Sequence, residues 1–222
     1  MNDRVKDQFN ELSLEYDARR RLLIPCFDEF YNSGINLLSY EGGAPRVLDV
    51  GAGTGIYSET LQKRYPMAKF TLIDFAENML ELAAKKFANA SFLLDDYYTH
   101  DYGDQKFDII ISALSMHHLD EIDKQLFYVK LYSLLDNSGE LLNADIISSG
   151  SAEIDTIYDE QWTGFVKANI GEGEYFDRFL KSKDVDKPSP LSLQIEWLKK
   201  AGFAGVDCVY KRFNFAVFYA RK

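Results

Sequence analysis

Between residues 41 and 147, short apolar blocks alternate with segments of helical period. "RVLDV" (46–50) is an apolar block that runs into glycines, and "IYSETLQKRY" (56–65) is amphipathic and stopped by Pro66. That order predicts a strand, a tight glycine turn and a helix. The alternation continues with strands over 69–75, 91–96, 107–114 and 139–147, and with helices over 76–88 and 121–135. Apolar strands alternating with helices predict a parallel sheet covered on both faces.

The flanks follow other patterns. Residues 1–40 read as a helical cap, because Val5, Phe9, Leu12 and Tyr16 recur at three-to-four spacing before a break at Pro25. After residue 147 the period is lost, and 148–190, rich in acids, aromatics and glycines, reads as a partly helical cover inserted over the site. A helix then follows, with Ser189 as its cap, Pro190 at its first position, Leu191, Ile195 and Leu198 on one face, and Gly202 as its stop. "GVDCVYKR" and "FNFAVFYAR" are almost contiguous and predict an antiparallel hairpin within 191–222. The expectation is one domain over 1–222, with 41–147 as its core.

Composition narrows the class. A chain of 222 residues can bury one substantial core, and 46% hydrophobic with 27% charged residues is an ordinary globular balance without a bilayer-length apolar run. The charged N-terminus lacks an apolar signal core, and Cys26 and Cys208 form no CxxC pair, so a cytoplasmic protein with free thiols is expected. The net charge of −10, with basic residues scattered apart from short runs such as Arg19–Arg21, disfavours direct nucleic-acid binding and leaves a homodimer open.

Asp49 is the residue that asks for an explanation. A GxGxG turn between strand and helix favours negative ligands, yet Asp49 places a carboxylate two residues ahead of it. At an effective dielectric of about 20, unit charges about 6 Å apart interact by roughly 2–3 kcal/mol, so Asp49 repels a pyrophosphate and attracts a cation. S-adenosylmethionine has a sulfonium, an ammonium and no phosphate, which suits this turn. The alternative for Asp49 is a turn-tightening carboxylate. Asp74 ends the second predicted strand, where an acid can accept the ribose hydroxyls, and Asp96 ends the third, where it and the Tyr97 backbone N–H can meet adenine. Each could instead cap a loop.

With these residues in view, the chain resembles the class I S-adenosylmethionine-dependent methyltransferases from about residue 40 onward. "VLDVGAGTG", "LIDFAENML", "FDIIISALSMHHLD", "LYSLLDNSGELLNADI" and "WLKKAGF" carry the likeness, although Ser138-Gly139 stands where a proline-glycine pair is usual. The resemblance implies a Rossmann-like α/β fold whose seven-stranded, mostly parallel sheet has its last strand antiparallel. It also implies that Gly51, Ala52 and Gly53 contact the methionine part, Asp74 the ribose, Phe75 and Met79 the ribose and adenine side, Asp96 and Tyr97 the adenine, and Leu114 the cofactor through its backbone. "LLIPCFDEFY", "FVKANIGEGEYFDRF" and "WLKKAGFAGVDCVYKRFNF" are further similar to carboxy-S-adenosylmethionine synthases, in which an arginine holds the added carboxylate; Arg178 falls near that place if a gap is allowed.

For the acceptor, a small molecule is expected, and in-line alignment can supply up to roughly 7–11 kcal/mol of the acceleration. His117 follows the fourth strand and is the candidate general base, with a pKa near 6.5 suited to proton transfer; one histidine of a His117–His118 pair commonly packs structurally. Asp145 could orient an acceptor or cap the next segment. His117, His118 and Asp145 match metal-ligand types, but no spacing supports a metal site, and none is expected. His100 reads as a solvated loop residue. Tyr16 could close over the cofactor or pack as core, and Trp162, Phe165, Tyr175 and Phe176 could line an aromatic acceptor pocket or fill the cover. A cofactor-binding subunit without turnover is a further reading, and a nicotinamide oxidoreductase is disfavoured by Asp49.

Overall fold

The apolar blocks pair into one sheet. In the computed structural model, which describes residues 16–222 apart from the side chains of Tyr16, Ala18, Glu174 and Tyr175, seven strands are present. They are β1 (Arg46–Val50), β2 (Lys69–Asp74), β3 (Ser91–Leu94), β4 (Phe107–Ala113), β5 (Leu135–Ile146), β6 (Gly205–Arg212) and β7 (Phe215–Arg221), in the order β3-β2-β1-β4-β5-β7-β6. β1 to β5 are parallel, and β7 runs antiparallel to both β5 and β6. The chain turns outward in opposite directions from β1 and β4, which makes their carboxyl ends the switch point where open sheets bind ligands.

Helices cover both faces: α1 (Tyr16–Leu23), α2 (Phe27–Asn32), α3 (Ile56–Arg64), α4 (Glu77–Lys86), α5 (Glu121–Leu134), α6 (Ala152–Ile170), α7 (Glu174–Ser182) and α8 (Leu191–Ala201). Side chains alternate across each strand. Leu48, Val50 and Ile110 therefore pack with Phe127 and Leu131 of α5 and Trp197 and Leu198 of α8. Val47, Ile109 and Ile111 face the other way, onto Phe30 of α2, Leu61 of α3 and Leu80 of α4.

Several boundaries differ from the sequence reading. β3 stops at Leu94, so Asp96 lies in the following loop. β5 begins at Leu135 because Leu135 pairs with Phe107 across an irregularity, before regular pairing resumes at Ile109 and Glu140. Ser189 does not cap α8: its hydroxyl accepts from Lys124 Nζ at 2.8 Å, and Pro190 occupies the cap position. Gly202, at φ 113°, ends that helix as expected. The cap splits at Pro25 into α1 and α2, while the expectations for Val5, Phe9 and Leu12 lie outside the described residues. Among the described residues, no helix is long and apolar enough to cross a membrane.

Candidate functional site

The glycine turn after β1 uses glycines where the backbone takes positive φ or is closely approached. Gly51 has φ 64°, and a Cβ there would stand 1.9 Å from Ser115 Oγ. Gly53 has φ 54°, and its N–H donates to Asp74 Oδ2 at 2.8 Å. The turn, the end of β2 and the segment after β4 line a cavity at the switch point of the sheet, where open α/β sheets bind ligands. Of the residues the sequence offered for the cofactor, Asp49, Gly51, Ala52, Gly53, Asp74, Phe75, Met79 and Leu114 line it.

Asp49 is 1% exposed. Its Oδ2 accepts the Ser58 hydroxyl at 2.7 Å, and Oδ1 has no hydrogen-bond partner among the described residues. Burial pushes its pKa up to about 7, the Ser58 hydrogen bond opposes this, and the Asp74 charge adds to it. A buried carboxylate with an unused oxygen is costly unless a cation or donor arrives. Asp74 is likewise raised by burial, to about 6, against backbone donors that include Ala76 and Gly53. The cradle therefore fits a ligand with a cationic centre beside Asp49 and its bulk along the glycine turn, and S-adenosylmethionine has that form.

Asp96 and Tyr97 do not line this cavity. Asp96 Oδ1 accepts the Tyr98 N–H at 2.9 Å, and the Tyr97 ring is fully buried, its hydroxyl donating to the Ser115 carbonyl at 3.1 Å. Tyr97 thus supports the floor under Gly51.

A second cavity adjoins the first. Arg20, Leu114 and His118 line both. Leu114 holds φ 51°, a left-handed conformation rare for a bulky residue, and its N–H donates to the Ala144 carbonyl at 2.8 Å. A strained residue thus stands at the junction of the cavities. The second cavity has apolar walls from Leu23, Ile24, Trp162, Phe179 and Phe215. Trp162 is fixed by its Nε1–H to the Leu23 carbonyl at 2.8 Å and by edge contacts with Phe179 and Phe215, each 5.1 Å between ring centroids. Phe165, Phe176 and Arg178 do not line it, and Arg178 is exposed. The side chains of Tyr16 and Tyr175 lie outside the described residues.

His117 differs from the free base expected of it. It is 6% exposed, its Nδ1 stands 2.5 Å from Asp145 Oδ1 and its Nε2 3.3 Å from Asp186 Oδ1. Burial alone would lower its pKa, but Asp145 and then Asp186 outweigh this and push it up to about 9. His117 is thus an imidazolium at neutral pH. Asp145 is spent on His117 and on the Ile146 N–H at 2.9 Å, and it lines neither cavity. His118, lowered to about 3 by burial and by the His117 charge, is neutral.

Arg20 and Asp186 were missed by the sequence reading. Arg20 had a signal: it lies four residues after Tyr16, on the same helix face. Asp186 had none, because "KSKDVDKPSP" reads as a solvated charge run.

Residues 47–139 match the methyltransferase domain family. Over 88% of its length the chain is 23% identical to the demethylmenaquinone methyltransferase of Thermotoga maritima, covering 86% of it. Over its whole length it is 23% identical to the carboxy-S-adenosyl-L-methionine synthase of Nautilia profundicola, covering 97% of that protein. Among solved structures, a Thermotoga maritima methyltransferase described as a possible histamine N-methyltransferase superposes with a TM-score of 0.67 at 16% identity, over 98% of this chain and 99% of the other. Some matched chains are longer: this one spans 35% of one curated relative and 60% of one solved structure. The resemblance to class I methyltransferases and the seven-stranded fold it implies are thus both upheld.

Proposed function

We propose that this chain, whose residues 47–139 match the methyltransferase domain family, is an S-adenosylmethionine-dependent methyltransferase acting on a small molecule. The observation that carries the reading is the buried Asp49 oxygen without a partner, set at the mouth of a glycine turn. When bound, the cofactor supplies a methyl group on a sulfonium, open to in-line displacement. Asp49 holds the cationic part, the Gly51–Gly53 backbone admits the methionine chain, and Asp74, Phe75 and Met79 take the nucleoside side. Burial of the site excludes water and fixes orientation, which supplies most of the acceleration.

The acceptor enters the second cavity. Its apolar walls suit a small, largely hydrocarbon or aromatic molecule, and Arg20 together with the His117 imidazolium favours an ionised oxygen at the end nearest Leu114. His117 lowers the cost of that ionisation by its charge rather than by accepting a proton from the acceptor.

Calorimetric titration with S-adenosylmethionine tests the first step. Binding that is lost in Asp74→Ala supports the reading. Absence of binding, or binding of NAD instead, overturns it. If the cofactor binds but no acceptor panel or cell extract consumes its methyl group, the chain is a binding subunit rather than an enzyme.

A second reading has its own observation. Arg20 borders both cavities, so a carboxylate added to the transferable carbon would meet a guanidinium there, in place of the exposed Arg178. Mass spectrometry of cofactor retained through purification separates the two, because the carboxylated form is heavier.

A further inference from the structure

We propose that His117 Nε2, His118 and Asp186 form a site for a divalent first-row cation, with Zn2+ as the best match, at the edge of the acceptor cavity. The proposal deepens the acceptor side of the reading above and rests on it only for what the ion would do.

Three observations carry it. The first is spacing: Asp186 Oδ1 stands 3.3 Å from His117 Nε2 and 3.5 Å from His118 Nδ1. Nitrogen and oxygen ligands about 2.0–2.1 Å from a tetrahedral ion are about 3.3 Å apart, so two of the three ligand edges already have the required length. The third edge is of similar order, since one ligand atom from each of the three residues lies within 4.8 Å of the others.

The second is support behind the ligands. Asp145 binds His117 Nδ1 at 2.5 Å, which directs Nε2 to the cavity; a carboxylate behind a histidine is the usual way a metal-bound imidazole is oriented. Asp186 is held over the histidines by its neighbours, since the Lys187 N–H donates to the His117 carbonyl at 2.8 Å. Lys124 Nζ in turn donates to the Lys187 carbonyl and to Ser189. Nε2 and Asp186 Oδ1 face each other at 3.3 Å, and the ion would be held by both.

The third is access. His117, His118 and Asp186 all line the second cavity, while Asp145 does not. Three protein ligands with a fourth position open to a cavity is the arrangement of a catalytic rather than a structural zinc. The open position would receive the acceptor's oxygen and stabilise its anion beside Leu114, the charge of the ion then standing in for that of the His117 imidazolium.

The test uses the full chain, stripped with a chelator and titrated with Zn2+ by calorimetry, with Co2+ as a spectroscopic substitute. One ion per chain is expected, together with the visible bands of tetrahedral Co2+. Asp186→Asn and His118→Gln should each weaken binding at least tenfold, and Asp145→Asn about 10–100-fold through loss of orientation. Absence of stoichiometric binding overturns the proposal, as does undiminished binding in both ligand variants or an octahedral Co2+ spectrum. Circular dichroism checks the variants for folding; if neither folds, the Co2+ spectrum of the parent decides. S-adenosylmethionine affinity, measured on the same samples, reports on the cofactor reading separately: metal binding without cofactor binding leaves this site standing and removes the methyltransferase.

Discussion

Asp49 carries an oxygen that the protein leaves without a donor, and its pKa of about 7 means that burial has brought it within reach of physiological titration. The ionised fraction of such a group rises about tenfold between pH 6 and 8. S-adenosylmethionine affinity should therefore rise by up to about tenfold over that range, and Asp49→Asn should weaken binding by roughly 30-fold or more and flatten the pH dependence, as calorimetry would register. Gly51 is equally constrained, by its φ of 64° and by Ser115 Oγ at 1.9 Å from any Cβ. Gly51→Ala should cost about 1–3 kcal/mol in denaturant unfolding and abolish detectable cofactor binding, because the turn must shift to admit the methyl group. Both residues were legible in "DVGAGTG", since a charge beside a glycine turn is a local feature. The state of His117 was not legible, because its two carboxylates come from β5 and from residue 186.

At the level of elements, the site is assembled by three attachments among the helices and loops above the sheet. α1 is tied to the glycine turn by Asp17, which accepts from Thr54 Oγ1 at 2.5 Å and pairs with Lys86 of α4. α6 brings Trp162 to the Leu23 carbonyl, so the cap and the cover meet over the second cavity. Lys124 of α5, 1% exposed, anchors the segment around Lys187 and Ser189. Lys124→Met should leave that carbonyl and hydroxyl without their donor and cost about 2–3 kcal/mol, with the stretch 183–190 becoming the first site of limited proteolysis. Strand and helix periods predicted most elements of the core. They failed where a tertiary contact overruled a local signal: Lys124 took the hydroxyl that Ser189 would have offered α8, and pairing with Phe107 drew Leu135 out of its helix into β5.

Over the whole molecule, buried titrating groups set how stability responds to pH. Asp49 and Asp74 are raised, so between about pH 4 and 7 the native state binds more protons than the unfolded state and both groups lose stability as pH rises. His118, held neutral, acts in the opposite direction below about pH 6.5. Above that, His117 dominates: its contribution is fully present below 6.5 and is lost as pH rises through about 9. The difference corresponds to about 3 kcal/mol, or a fall of roughly 6–12 °C in the thermal midpoint of the cofactor-free, chelator-stripped protein between pH 6.5 and 9.5. Differential scanning calorimetry would register it, and Asp145→Asn should lower the midpoint at pH 6.5 and shrink the fall. The sequence by itself determined the alternation of strands and helices, the glycine turn and the acids beside it, because each depends on neighbours within a few residues. Only the tertiary structure decided that Arg20 would border both cavities, that Asp145 would turn away from them and that Asp186 would close on His117 and His118. Those placements depend on how the cap, the cover and the end of β5 pack over the switch point, and contacts across tens of residues leave no period in the chain.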